Sequence, residues 1–240
     1  SLEYGPYRMR YSRNGRHLLL GGQKGHLALM EWASGKLKTE LYVNESTRDV
    51  SFLHNETLFA VAQKKYVFIY DNKGLEVHRL KHHIEPLRLE FLPYHLLLAS
   101  VGNAGFLKYQ DVSTGDLVAE LRTGKGKCAC MRQNASNAVM HLGHGNGTVS
   151  LWSPTVNTPL VSLLAHRGPV LSLAIGACKM LLPGLRCRAA RCLRTADPLC
   201  GGRPDHGGNY MATTGMDGYV KCWDVRTSRM LHAYTTLRPA

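Results

Sequence analysis

Asp217-Gly218-Tyr219-Val220-Lys221-Cys222-Trp223-Asp224 reads as a tight turn, a short alternating strand and an aromatic-acid stop. The turn needs a residue at positive φ, which Gly218 supplies without a Cβ clash. Looser copies precede it: Gly145-Asn146-Gly147-Thr148-Val149-Ser150-Leu151-Trp152, Gly105 to Asp111, Lys65 to Asp71, and Gly25 to Trp32. A phrase that returns about every 40 residues is the signature of stacked four-stranded blades, a β-propeller.

Between successive turns there is room for four short strands, so the chain is expected to be all-β, with about five blades of four antiparallel strands each. Their expected bounds are 7–45, 48–86, 87–124, 127–169 and 170–236. The anchors Trp32, Tyr70, Gln110 and Trp152 are spaced by 38, 40 and 42 residues, whereas Trp152 to Trp223 spans 71. The surplus falls at 176–208, where alternation gives way to Arg, Cys, Gly and Pro. This segment is expected to be a poorly ordered insert leaving the fifth blade where a tight turn would otherwise join two strands. Two readings of its origin stand: translated non-coding sequence, or a basic loop, with six Lys/Arg against two Asp, that touches RNA.

With 240 residues, 44% of them apolar, the chain can bury a sizeable core. No apolar run approaches the roughly 18 residues of a membrane span, and the first residues show no signal-peptide pattern, so an intracellular protein is expected. The seven cysteines are then not a disulfide framework. The sequons at Asn44, Asn55, Asn134 and Asn146 are expected to be turn residues. Lys and Arg exceed Asp and Glu by 13, a field that attracts polyanions such as nucleic acid or an acidic protein.

Candidate site residues fall in two groups. His166, Thr213 or Thr214, Asp217 and Trp223 supply the four residue types that can form one buried hydrogen-bonded chain within a blade, each polar group satisfying the next. That role is structural. Near the start, Arg8, Arg10, Arg13 and Arg16 interleave with Tyr4, Tyr7 and Tyr11, a mixture suited to phosphates and bases or to an acidic partner. Strand alternation offers a simpler account, with Arg8 and Arg10 on one face and Met9 and Tyr11 pointing inward.

Other constellations carry no chemistry. Gly21-Gly22-Gln23-Lys24-Gly25 lacks the helix and the Lys-Ser/Thr ending of a phosphate loop. Cys128-x-Cys130, His141-x-x-His144 and the insert cysteines lack paired zinc spacing. His82 and His83 are expected in a solvated inter-blade loop. No nucleophile elbow, zincin helix or supported carboxylate pair appears, so a non-enzyme without cofactor, metal or small-molecule substrate is expected.

Several stretches carry a resemblance: Gly5 to Leu18, Arg48 to His54, Ala60-Val61-Ala62-Gln63, Ile69-Tyr70-Asp71-Asn72, Arg88 to His95, and above all Asn137 to Pro154 with its His141-Leu142-Gly143-His144 lead-in. They resemble the nucleolar WD-repeat proteins of the small-subunit processome, the seventh U-three-associated family, over about Leu2 to Ile175 and Asn209 to Arg226. The resemblance implies a WD-repeat propeller of about seven blades, of which five would be present as an incomplete ring. It also implies a non-catalytic scaffold in the nucleolus, supporting pre-ribosomal RNA processing. The implied partners are other processome proteins, pre-ribosomal RNA and the U-three small nucleolar ribonucleoprotein. An alternative from another class is an adaptor that reads short peptides in a chromatin or ubiquitin-ligase complex. Alone, such an arc leaves exposed edges and is expected to aggregate.

Overall fold

A computed structural model describes residues 5–176 and 208–235. The chain divides into two compact units, Ser1–Gly124 and Lys125–Ala240. The described residues of the first unit form three antiparallel sheets. The first contains β1 (Tyr7–Tyr11), β2 (His17–Gly22), β3 (His26–Glu31) and β4 (Lys36–Tyr42), and the second β5 (Thr47–Phe52), β6 (Leu58–Gln63), β7 (Val67–Asp71) and β8 (Glu76–Leu80). The third contains β9 (Pro86–Leu92), β10 (Leu97–Gly102), β11 (Phe106–Asp111) and β12 (Leu117–Arg122).

The second unit holds two sheets. One is built from β13 (Cys128–Gln133), β14 (Met140–His144), β15 (Thr148–Trp152) and β16 (Val161–Leu164), the other from β17 (Val170–Gly176), β18 (Tyr210–Gly215), β19 (Tyr219–Asp224) and β20 (Arg229–Thr235). In every sheet the strands lie side by side in chain order. Five all-β, four-stranded antiparallel sheets are the content of a WD-repeat propeller of about five blades. Gly176 pairs with Tyr210, so the surplus residues separate two partners of one hairpin. The expectation of a disordered insert at 176–208 falls almost wholly outside the described residues.

Within each unit, the side chains between neighbouring sheets set the packing. Leu19, Leu27 and Leu29 of the first sheet meet Val50, Phe52, Phe59 and Val61 of the second, and Ala60, Val67 and Ile69 on that sheet's other face meet Leu89, Phe91 and Leu98 of the third. In the second unit, Val149 and Leu151 meet Val170, Leu173, Met211 and Trp223. β10, covered on both faces, is buried at all six positions, whereas β4 and β20 are mostly or wholly exposed. A strand buried on both faces reads as a continuous apolar or small-residue run, here Leu97-Leu98-Ala99-Ser100-Val101-Gly102.

Two expectations are corrected. Trp32 is not the buried anchor of its sheet. It is 51% exposed, and its indole N–H donates to the Gly15 carbonyl at 2.5 Å. Pairing of the third strand with the fourth slips by one residue just before Met30, Tyr70, Gln110 and Trp223, so Met30 holds the equivalent place in the first sheet. On β1, Met9 and Tyr11 are 46% and 41% exposed, while Arg10 is half-buried. The face carrying Leu19 and Leu27 packs on the second sheet, and Met9 pairs in register with Leu20 on the opposite face.

The turn between the second and third strands uses a positive-φ glycine in four of the five sheets: Gly25, Gly105, Gly147 and Gly218. Gly147 is also sterically pinned. Its carbonyl accepts from the N–H groups of Ala165 and His166 at 3.0 Å each, and a Cβ there would lie 2.0 Å from the His166 carbonyl oxygen. Gly115 has the same φ of +83° with nothing within 4 Å. Gly147→Ala is therefore expected to cost clearly more than Gly115→Ala, which bears only the backbone strain of about 1–3 kcal/mol. Chemical denaturation of both variants measures the difference.

Candidate functional site

Among the described residues, several convergent sets of polar side chains lie between strands of single sheets. In the fifth sheet, the loop before β17 delivers His166, 1% exposed, under β18 and the β18–β19 turn. Its Nδ1 lies 2.9 Å from Asp217 Oδ1, its Nε2 lies 2.9 Å from Thr213 Oγ1, and Trp223 Nε1 donates to that hydroxyl at 3.0 Å. A carboxylate only accepts, so Nδ1 carries a proton. Burial alone would raise the Asp217 pKa, but the bonds from His166 and the Tyr219 and Arg167 N–H groups outweigh it and hold it below its usual value. The structure thus brings His166, Thr213, Asp217 and Trp223 together. Thr214 pairs with Val220 on the neighbouring register and is not in the set.

A second set went unseen in the sequence. His83 is not solvated: it is 1% exposed, with Nδ1 at 2.5 Å from Ser100 Oγ and Nε2 at 2.8 Å from Gln110 Oε1. Gln110 donates its amide N–H to the Gly115 carbonyl at 2.7 Å, which turns its oxygen toward His83 and places the imidazole proton on Nε2. Lys108 donates to the carbonyl of His82 at 2.8 Å, as Lys221 does to that of Ala165 at 2.6 Å. A sequence signal existed: His83-Ile84-Glu85-Pro86 and His166-Arg167-Gly168-Pro169 share His-x-x-Pro immediately before a first strand. In the fourth sheet, Ser150 Oγ accepts from Trp152 Nε1 at 2.8 Å and lies 2.5 Å from His144 Nε2.

The four N-terminal arginines have separate fates. Arg10 donates to Glu90 Oε1 at 2.7 Å and to the Leu89 carbonyl at 3.2 Å, tying β1 to β9. Burial alone would lower its pKa, but the carboxylates of Glu90 and Asp49 outweigh this and raise it. Arg13 donates to the Tyr94 hydroxyl at 3.0 Å, with its guanidinium 5.1 Å from that ring's centre. Arg8 and Arg16 are exposed. A cleft of about 340 Å³ opens between the first turns of the first two sheets, lined by Arg13, His54 and Glu56 among others.

Asn55, Asn134 and Asn146 each accept from the N–H and hydroxyl of the Ser or Thr two residues on, closing turns. Cys128, Cys130 and Cys222 are outside any disulfide. Among the described residues, no group of three or more His, Cys, Asp or Glu is placed to hold a metal ion.

No family model matches the chain. Among curated proteins it is similar to U3 small nucleolar RNA-associated protein 7 of Saccharomyces cerevisiae, at 51% identity over 235 residues, 98% of this chain and 37% of that protein. It is also similar to WD repeat-containing protein 46 of Homo sapiens, at 45% identity over 224 residues (93% of this chain, 32% of that protein). The same-named protein of Caenorhabditis elegans is 45% identical over 232 residues, 97% of this chain and 35% of that protein. The chain thus spans about a third of the length of the curated relatives it matches.

Thr213→Val would leave the Trp223 indole N–H and His166 Nε2 without their shared partner. It is expected to lower stability by about 1–3 kcal/mol in chemical denaturation, with Thr213→Ser close to wild type. A pH effect also follows. Burial, opposed by the Gln110 bond, lowers the His83 pKa from 6.5 to about 4. Folded His83 then stays neutral while the unfolded chain takes up a proton, so its share of stability is present above pH 6.5 and lost as pH falls toward 4. The full loss is on the order of 3 kcal/mol. Melting curves across that window should flatten in His83→Gln; an unchanged slope would refute the assignment.

Proposed function

We propose that this chain, a WD-repeat protein related along nearly all of its length to U3 small nucleolar RNA-associated protein 7 and WD repeat-containing protein 46, is the propeller of a non-catalytic scaffold subunit of the small-subunit processome, acting in ribosomal RNA processing. The observation that carries the reading is the 51% identity over 98% of the chain to a protein named for its association with the U3 small nucleolar RNA. The nucleolus is the corresponding location. Its partners in this reading are neighbouring processome proteins, pre-ribosomal RNA and the U3 ribonucleoprotein.

The chemistry of the interior supports a scaffold. Three of the six histidines buried among the described residues, His83, His144 and His166, are bonded to hydroxyl, amide or carboxylate groups of their own sheet. His83 and His166 hold loops to strands and His144 holds β14 to β15, a structural use. The sites in this reading are accordingly structural (His166, Thr213, Asp217, Trp223) or surface contacts, with Arg8, Arg13 and Arg16 the N-terminal arginines exposed to an RNA or acidic partner.

The five sheets are, in this reading, blades at 7–45, 48–86, 87–124, 127–169 and 170–236, with the insert at 176–208 interrupting the last, in a ring of about seven. The half-exposed apolar face of the first sheet, with Met9, Tyr11 and Leu37 41–49% exposed, supports a further blade packing there.

Sucrose-gradient sedimentation of tagged full-length protein tests the function. It should travel with large pre-ribosomal particles, and its depletion should lower mature small-subunit ribosomal RNA while precursors accumulate. Sedimentation only with small complexes, with precursor levels unchanged, would refute the scaffold role.

A further inference from the structure

Most cations described so far are engaged by neighbouring groups. Arg10 is paired with Glu90, Lys108 with Glu120, and Arg13 is bonded to Tyr94, while Lys221 donates to a backbone carbonyl. The β6–β7 turn of the second sheet differs. Where the other four sheets place a positive-φ glycine, this turn reads Lys64-Lys65-Tyr66, closed by the Gln63 N–H donating to the Tyr66 carbonyl at 3.0 Å.

The pairing of β7 with β8 brings two more cations to the same spot. Val67 faces Leu80 and Phe68 faces Arg79, so Tyr66 and Lys81 are the next opposed positions. The Lys65 ammonium lies 5.3 Å from the centre of the Tyr66 ring and the Arg79 guanidinium 5.9 Å. The Lys65 carbonyl accepts from the Glu85 N–H at 3.0 Å, which holds the following loop, with exposed Lys81 and His82, against this turn. Lys64, Lys65, Arg79 and Lys81 are all exposed, and among the described residues no carboxylate lies within ion-pairing distance of any of them.

Lys65 and Arg79 lie over a half-buried aromatic ring, with Lys64 and Lys81 adjacent in the turn and across the strand pair, and like charges repel across such a surface. These groups suit a ligand carrying both a flat ring and closely spaced negative charge. We propose that the Lys64-Lys65-Tyr66, Arg79 and Lys81 cluster is a binding site for single-stranded polynucleotide. One base stacks on Tyr66, displacing one of the two cations from the ring. That cation and its neighbours then hold the flanking phosphates. A duplex, whose bases are stacked on one another along its length, has no interior base face to give Tyr66. An acidic peptide would satisfy the cations and leave the ring unused. This proposal rests on the reading of an RNA-rich setting and deepens it by naming the residues that touch the strand.

The test uses the purified full-length protein and a fluorescent 12-nucleotide single strand of RNA, followed by anisotropy at several salt concentrations. Tyr66→Leu should weaken binding about tenfold. The combined Lys64→Ser, Lys65→Ser and Lys81→Ser variant should lower the slope of log affinity against log salt by about 2. Melting curves identify a variant that fails to fold; Arg79→Gln, which leaves the turn intact, then serves as the second variant and should weaken binding several-fold. Wild-type affinity in all folded variants overturns the proposal, as does equal binding of a blunt duplex. So does displacement by polyglutamate as effective as by unlabelled strand. The two readings fail separately: loss of wild-type protein from pre-ribosomal particles strikes the scaffold role, whereas wild-type particles with unaffected Tyr66 variants strike only this site.

Discussion

A strand covered on both faces has no water for its polar groups, and everything else in these sheets answers to that constraint. β10 meets it with apolar and small residues, but Ser100 keeps a hydroxyl there and β18 keeps Thr213, each almost fully buried. Each hydroxyl bonds a histidine brought in by the loop before the first strand of its sheet, and each histidine is completed by Gln110 or Asp217. The consequence is mechanical. A loop that would otherwise lie loosely over the sheet is fastened to its second and third strands.

The two fastenings are equivalent in place and opposite in chemistry. Asp217 lies next to Nδ1 of His166, so the proton sits there, whereas the Gln110 oxygen faces Nε2 of His83. The accompanying lysines, Lys108 and Lys221, donate to the carbonyl just before each histidine and are the same in both sheets. The family position therefore fixes where a histidine sits, while the neighbouring side chain fixes which nitrogen is protonated.

This difference explains what the sequence disclosed. The turn at Asp217-Gly218 and the set around His166 were legible because Asp, Gly and Trp each leave a local mark. His83 was not, since its third strand carries Gln110 where a tryptophan would have flagged it; only the His-x-x-Pro shared with His166 gave it away. Trp32 misled for the opposite reason: it falls two residues past the true anchor position, and spacing cannot separate a buried indole from one lying on a turn. Alternation on β1 gave the right period with the wrong side, because which face is covered depends on the sheet that packs against it. The cluster around Tyr66 was invisible for lack of register, since Lys65 and Arg79 meet only when β7 and β8 pair.

The one-residue slip just before Met30, Tyr70 and Gln110 places the same kink at the same height in all three sheets of the first unit. Such bulges add local twist, so the three sheets share a bend between their third and fourth strands. Sheets with the same bend offer similar faces, so the short links between them leave more than one way to pack. What breaks the degeneracy is unlike chemistry on like scaffolds: Arg10 reaching Glu90, or Asp49 accepting from the Leu89 N–H, pairs that a misordered stack would leave buried and alone.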